Sequence, residues 1–280
     1  MGMVRSTIEA IRPVNVSIAV LAVIAGSTVE LGTSIGNELL DIFLLCMAAA
    51  AAVGGANILN DMNDIDIDKR THPGRPIVSG RMDRSHARLF FIVLWTTAAL
   101  TASLVSFRHH DPLPIIIVFF TIIFDISYEN FFKSRGLSGN LIIGVLTGAI
   151  FLFGGSLWSP GPVLFFLVIM ASISTASREI IKDVQDMDGE RGTRKTLPLR
   201  IGARRTLYLS FFLIITAVLL GWGPIFFIGF DGFYVTFIGL ADLIMISGAI
   251  ISFKNSIMGQ VTIKAGMLVA VIGFILSMLI

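Results

Sequence analysis

The sequence predicts an all-α integral membrane protein of nine transmembrane helices. Three observations lead there. Hydrophobic residues make up 55% of the 280-residue chain and charged residues only 14%, with a mean hydropathy of +0.85. A soluble domain carries about 25% charged residues. The apolar residues also gather into runs of about 20, the length a helix needs to cross a bilayer. Within these runs hydrophobicity is continuous rather than alternating, and the runs are too long for barrel strands. Helices are then the way to satisfy the backbone in lipid.

In chain order the spans fall at 14–31, 39–60, 88–107, 113–131, 140–158, 162–182, 206–222, 233–252 and 263–280. Charged loops mark their limits. Arg5 and Arg12 precede the first span, and a basic stretch in 61–88 separates the second from the third. Arg108 follows the third, Lys133 and Arg135 follow the fourth, and a second basic stretch, 178–205, joins the sixth to the seventh. The 222–232 turn is the least marked boundary; Lys254 and Lys264 flank the start of the ninth span. With the N-terminus inside, every one of the 21 Lys and Arg residues except Arg108 falls on the cytoplasmic side, as the positive-inside rule requires. The expectation is a multi-pass protein of the cell membrane, with its N-terminus and both basic stretches cytoplasmic. Its net charge of +2 reflects that inner face rather than nucleic-acid binding, and no obligate protein partner is readable. Cys46, the single cysteine, lies within a span, so no disulfide framework is expected. The start shows no cleavable signal peptide, and its match to a myristoylation pattern adds little to so many spans.

The chain reads as one domain, 1–280, with an internal parallel repeat. The stretch "NDMNDIDIDKRTHPGRP" opens at Asn60, and "KDVQDMDGERGTRKTLP" opens at Lys182. At a constant offset of 122, residues 61–80 match 183–202 at six positions: Asp61, Asp64, Asp66, Thr71, Pro76 and Gly80. Asp68 faces Glu190 and Lys69 faces Arg191, so the charge is kept. Four expected spans lie between the copies, so both enter the same face in the same direction, as parallel repeats do.

Asp61, Asp64 and Asp68, like Asp183, Asp186 and Glu190, stand at i, i+3 and i+7. On a helix these positions share about 60° of arc. Asn57 and Glu179 join the same faces one turn earlier, while Asp66 and Asp188 point away. Stacked carboxylates repel unless a cation lies between them, and six hard oxygen donors suit Mg²⁺ or Ca²⁺, with Mg²⁺ in particular taking a few carboxylates plus phosphate oxygens. A single acidic loop at a helix end is usually only solvated; two copies at one membrane face point to a divalent-metal site. Lys69, Arg70, His72, Arg75, Lys133, Lys182, Arg191 and Arg194 share that face. Cations beside metal-binding acids fit a diphosphate, and the membrane suggests one with a lipid tail. The metal would neutralise the departing diphosphate, and a dry, aromatic-rich pocket would tolerate an allylic cation.

These residues resemble the UbiA superfamily of intramembrane prenyltransferases over essentially the whole chain. The family's Asn-Asp-x2-Asp-x3-Asp motif matches Asn60, Asp61, Asp64 and Asp68; "RP-x-x-SG" matches Arg75, Pro76, Ser79 and Gly80. The second motif is similar at Asp183, Asp186 and Glu190, with Lys182 before it and Thr196, Leu197 and Pro198 after. "RPVN" at Arg12 to Asn15 resembles the start of the family's first helix, and "SGN" ending at Asn140 its fifth. The resemblance implies a bundle with a central cavity open to the cytoplasm. It implies Mg²⁺ held by Asn60, Asp61, Asp64, Asp68, Asp183, Asp186 and Glu190, and a prenyl diphosphate and lipid-like acceptor contacted by Arg12, Asn15, Asn57, Lys69, Arg75, Tyr128, Lys133, Asn140 and Lys182. Asp68, Glu190, Lys133 and Tyr128 are its candidate catalytic residues. Two features depart from the pattern: the last acid of the second motif is Glu190 rather than Asp, and Tyr128 and Lys133 stand five apart where the family has three.

The short chain and the wording "GRPIVSG" look most similar to the archaeal ether-lipid branch of the family. That branch would join geranylgeranyl diphosphate to the free hydroxyl of geranylgeranylglyceryl phosphate. Prenylation of an aromatic ring such as 4-hydroxybenzoate or a naphthoate is the alternative. A cation transporter is a further one, disfavoured because the acids crowd the helix ends and only Asp125 and Asp242 lie deeper. Gly144-x3-Gly148 reads as internal helix packing.

Overall fold

The structure, a computed structural model, describes residues 2–190, 192, 195–229 and 231–279, with Gly2 and Glu190 as backbone alone. A short α1 (Gly2–Ala10) leads into α2 (Pro13–Leu31), and α3 (Leu39–Asn63) follows a 3₁₀ turn at Gly32–Glu38. Next come α4 (Ile65–Thr71), α5 (Arg84–His109), α6 (Leu113–Ser127) with a π turn at Tyr128–Phe132, and α7 (Leu137–Gly155). The second half comprises α8 (Pro162–Glu190), α9 (Leu197–Ile201), α10 (Ala203–Gly221), α11 (Ile225–Ile228), α12 (Gly232–Ile251) and α13 (Ser256–Leu279). No strand occurs among the described residues, as the continuous apolar runs require.

Among the described residues eight helical stretches have the length and hydropathy to cross a membrane. That is one fewer than the sequence count, because the first two expected spans fall in a single 51-residue stretch, Pro13–Asn63. A straight rod of that length would measure about 75 Å, more than twice the hydrocarbon core. Instead Gly32, at φ +52°, turns the chain, and α2 packs back against α3. The weakly marked 222–232 boundary is a real turn. It carries α11 and is pinned by Tyr234 Oη, which donates to the Gly221 carbonyl at 2.5 Å.

Small residues set the helix spacing. A Cβ on Gly144 would stand 2.4 Å from the Ser172 carbonyl oxygen, and one on Gly148 would stand 2.1 Å from Ser172 Oγ. The Gly-x3-Gly pair therefore lets α7 lie against α8 at backbone contact, the packing role read from the sequence. Large apolar side chains such as Phe107, Phe119, Phe212 and Leu243 are exposed around the bundle, which suits a lipid solvent. Arg108, the one basic residue expected outside, pairs with Asp41 at 2.9 Å.

Candidate active site

The first acidic motif straddles two helices. α3 ends at Asn63, and Asp64, at φ −95° and ψ 10°, links it to α4. The expected single helix face is therefore bent at its middle acid, which corrects the sequence reading. Register survives the bend, because the Asp64 and Asp68 N–H groups still reach the carbonyls four residues back, at 3.0 and 2.8 Å. Asp61, Asp64 and Asp68 are all buried, and each has a cation. Arg75 Nη1 lies 3.1 Å from Asp61 Oδ1 and also bonds Asp68 Oδ2, so these two acids do face the same way. The loop from His72 to Gly80 serves to bring Arg75 back onto the motif. Arg12 donates to Asn60 Oδ1 at 3.2 Å and to Asp61. It does so from a left-handed conformation, φ 54° and ψ 77°, which costs a non-glycine residue about 1–3 kcal/mol. Burial raises the Asp68 carboxyl above its usual range; Arg75 opposes that, and the neighbouring Asp64 and Asp61 charges reinforce it.

The π turn explains the five-residue spacing of Tyr128 and Lys133. The Lys133 N–H donates to the Tyr128 carbonyl at 2.9 Å, an i→i+5 bond. Such a turn absorbs extra residues and is frequent at functional sites. It aims Lys133 at Asp64 Oδ2, 2.8 Å away, and at Glu129, 2.7 Å away, with the ammonium 5.8 Å from the Tyr128 ring centre. Glu129 also accepts from Asn60 Nδ2 at 2.8 Å. Sequence reasoning missed Glu129; its signal was a carboxylate four residues before Lys133, the spacing of a helical ion pair.

The second motif stays on one helix. α8 runs unbroken to Glu190, with Asp183 and Asp186 half-buried and Asp188 exposed. The Glu190 side chain lies outside the described residues, as do Thr193, Arg191 and Arg194. Asn140, buried on α7, donates to Asp183 Oδ2 at 2.9 Å, which ties the "SGN" segment to this motif. The two motifs meet: α4 packs on α8, and a Cβ on Gly189 would stand 2.8 Å from Thr71 Cγ2.

Other expected contacts sit at the edge. Lys69 is exposed and pairs with Asp66 at 2.9 Å. Asn57 Nδ2 caps the Ile11 carbonyl at 2.9 Å, fixing the α1–α2 junction below Arg12. Asn15 accepts from Lys264 Nζ at 3.4 Å. Lys182 donates to Glu179 at 3.3 Å, beside Arg178 at 2.7 Å from the same carboxylate. Asp125 lies one turn before Glu129 on α6 and adds to its negative field.

A chemical fit to a divalent cation rests on the donor set: Asn60 and three buried carboxylates on one segment, with Asp183 and Asp186 on the segment packed against it. The cations Arg12, Arg75 and Lys133 balance the first set. Among the described residues, the one trio whose ligand atoms already lie within 4.8 Å of each other is Glu38, Asp41 and His109. It sits at the other end of α3 and shares Asp41 with Arg108.

Known proteins with this architecture share the arrangement of the chain. Residues 17–272 match the UbiA prenyltransferase family. A digeranylgeranylglyceryl phosphate synthase of Methanobrevibacter smithii is 32% identical over 277 residues, covering 95% of each chain. One of Natronomonas pharaonis is 31% identical and covers 100% of this chain and 99% of its own. A solved structure concerning digeranylgeranylglyceryl phosphate synthase in membranes superposes with a TM-score of 0.78 at 26% identity, over 99% of both chains. A UbiA homologue of Archaeoglobus fulgidus bound to GPP and Mg²⁺ shares the fold at a TM-score of 0.69 and 16% identity, over 95% of this chain and 99% of its own. With paired acidic segments meeting at one end of an apolar helix bundle, and a match spanning nearly every helix, the chain belongs to the UbiA prenyltransferase family.

Proposed function

We propose that the chain transfers a geranylgeranyl group from its allylic diphosphate to the free hydroxyl of geranylgeranylglyceryl phosphate, forming an ether lipid. The observation that carries this reading is the meeting of α4 with the end of α8, which sets two acid-rich segments and their cations around one space. Near-full-length similarity to synthases of that name in archaea supports the choice of acceptor.

Asn60, Asp61, Asp64 and Asp68, with Asp183, Asp186 and Glu190, would hold a divalent ion, which we take to be Mg²⁺. When bound, it supplies charge neutralisation to the diphosphate oxygens. Arg12, Arg75 and Lys133 already point into the same space, so they offer N–H donors to the leaving diphosphate as its carbon–oxygen bond breaks. Tyr128, beside Lys133, presents an electron-rich ring on the side where an allylic cation forms. Asn140 holds Asp183 in place. The surrounding apolar helices exclude water, so that the acceptor oxygen captures the cation, forming the carbon–oxygen ether bond while its hydroxyl proton passes to the released diphosphate.

We place the protein in the cell membrane with nine crossings, taking α2 and α3 as separate legs. The N-terminus and both acidic motifs are cytoplasmic, as the distribution of Lys and Arg favours. The two motifs are read as parallel copies of one duplicated unit within a single domain. Replacement of Asp64 or Asp186 by Ala tests the site: turnover with Mg²⁺ in membranes falls below about 1% of wild type. Full activity in either variant contradicts the scheme.

A further inference from the structure

Charge is divided unevenly around the site. On the first-motif side, Arg12, Arg75 and Lys133 face Asp61, Asp64, Asp68 and Glu129, so acids outnumber bases and a metal cation is wanted. Beside it, on α13 and on the turn of α8 that precedes the second-motif acids Asp183 and Asp186, the balance reverses. Arg178 and Lys182, one helical turn apart, share the single carboxylate of Glu179. Lys264 reaches in from α13 within electrostatic range of Arg178, Glu179 and Lys182. Among the described residues Lys264 has no carboxylate partner; its hydrogen bond is to Asn15 Oδ1 at 3.4 Å. Three cations and one acid leave a surplus of two positive charges, and Arg178 and Lys264 are only half-exposed. Concentrating like charge out of water is costly without a counter-ion. Asp183 follows Lys182 in sequence, but its carboxylate accepts from Asn140 on α7.

We propose that Arg178, Lys182 and Lys264, steadied by Asn15 and Glu179, form a subsite for a phosphate monoester, the headgroup of the acceptor. The proposal deepens the ether-lipid reading and rests on it. A phosphate monoester carries about −1.5 to −2 charge at neutral pH and offers three strong acceptor oxygens, matching the surplus of two and the three donor side chains. A single-charge aromatic acid would leave one cation unmatched. The metal-bound diphosphate is drawn to the acid-rich side instead. Arg12 links the halves: it bonds Asp61 and lies within electrostatic range of Glu179. A glyceryl phosphate seated on the basic side therefore holds its free hydroxyl, a few bonds from phosphorus, toward the allylic end of the donor.

The test uses the full chain in detergent or nanodiscs. With Mg²⁺ and geranylgeranyl diphosphate, Lys264→Met and Arg178→Gln raise KM for geranylgeranylglyceryl phosphate by about tenfold or more, the loss of a charge-assisted hydrogen bond. KM for the diphosphate stays within about twofold, because its cations are on the other side. Lys264→Arg restores most of the acceptor affinity, and Lys254→Ala, outside the cluster, changes nothing. In EDTA, equilibrium binding of labelled geranylgeranylglyceryl phosphate falls by the same factor in Lys264→Met, while phosphate-free geranylgeranylglycerol binds variant and wild type alike. Inorganic phosphate displaces the labelled acceptor only at far higher concentration; equal potency would assign the site to free phosphate and overturn the headgroup assignment. A wild type that neither binds nor prenylates the phosphorylated acceptor overturns the ether-lipid reading and this subsite with it. A wild type that does both, while Lys264→Met keeps its acceptor KM and affinity, overturns the subsite alone.

Discussion

The ammonium of Lys133 lies 2.8 Å from the carboxylate of Asp64, joining the π turn after α6 to the bend between α3 and α4. The contact depends on two local irregularities, one in each helix. Asp64 sits where its helix breaks, and Lys133 is carried round by a turn that holds one residue more than an α-helical one. Together the two irregularities place a cation on the central acid of the first motif.

Lys133→Met removes that cation and leaves Asp64 and Glu129 facing each other with little water. Breaking a buried pair from one side costs about 3–5 kcal/mol. Thermal unfolding in detergent should shift down, and turnover should fall by about 100-fold or more. Near-normal turnover in Lys133→Met would remove Lys133 from the site.

Deleting Asn130, an exposed residue inside the π turn, tests the turn itself. The shortened segment can close as an ordinary α-helix, whose i→i+4 bond keeps Lys133 on the same side as Tyr128. Lys133 should still reach Asp64, so circular dichroism should show unchanged helix content and the variant should keep measurable turnover. Complete loss of turnover with helix content intact would mean that the π geometry itself is needed to seat Lys133.

Asp68 carries a cost at neutral pH. Burial raises its pKa above the ordinary 3.8 and outweighs the help of Arg75. The folded state thus binds this proton more tightly than the unfolded chain. Stability from this group is fully present below 3.8 and is lost as pH rises through the raised value. Asp68→Asn should flatten that part of the stability–pH curve. At pH 7 it should melt no lower than wild type while losing turnover. A variant that melts several degrees lower at pH 7 would show that Arg75 more than compensates burial.

Gly144→Ala places a methyl 2.4 Å from the Ser172 carbonyl oxygen, so α7 and α8 must part. Overpacking of this kind costs about 1–3 kcal/mol, read as a lower melting temperature. Because α7 also carries Asn140, the partner of Asp183, activity should drop as well. An unchanged melting temperature would mean that the two helices separate freely.

The sequence showed what depends on composition and period. Uninterrupted apolar runs located every long helix, and paired Asp spacings picked out the two acidic segments that the fold brings together. Asp66 and Asp188, set off the shared face by their register, are exposed as expected. What stayed hidden depends on departures from regular geometry. The bend at Asp64 breaks no rule of spacing, so three acids read as one straight face. The fold-back at Gly32 keeps the first two spans in one continuous helical stretch, which a hydropathy count alone divides differently. Glu129 was overlooked because its role exists only across helices, with Asn60 on one side and Lys133 on the other. Lys69 lies in the same basic run as Arg75, yet a helical turn commits it to Asp66 and solvent. Pattern gave the list of charges, and tertiary contacts decided which of them meet.

Prenyl transfer onto a glyceryl phosphate lipid can be read from its product. The most direct measurement offers purified protein, Mg²⁺ and labelled geranylgeranyl diphosphate a mixture of geranylgeranylglyceryl phosphate, 4-hydroxybenzoate and a naphthoate, and identifies the product by mass. Digeranylgeranylglyceryl phosphate is the expected dominant product, abolished in Asp64→Ala and Asp186→Ala. A prenylated aromatic ring as the main product, or no prenyl transfer to any acceptor, would contradict it.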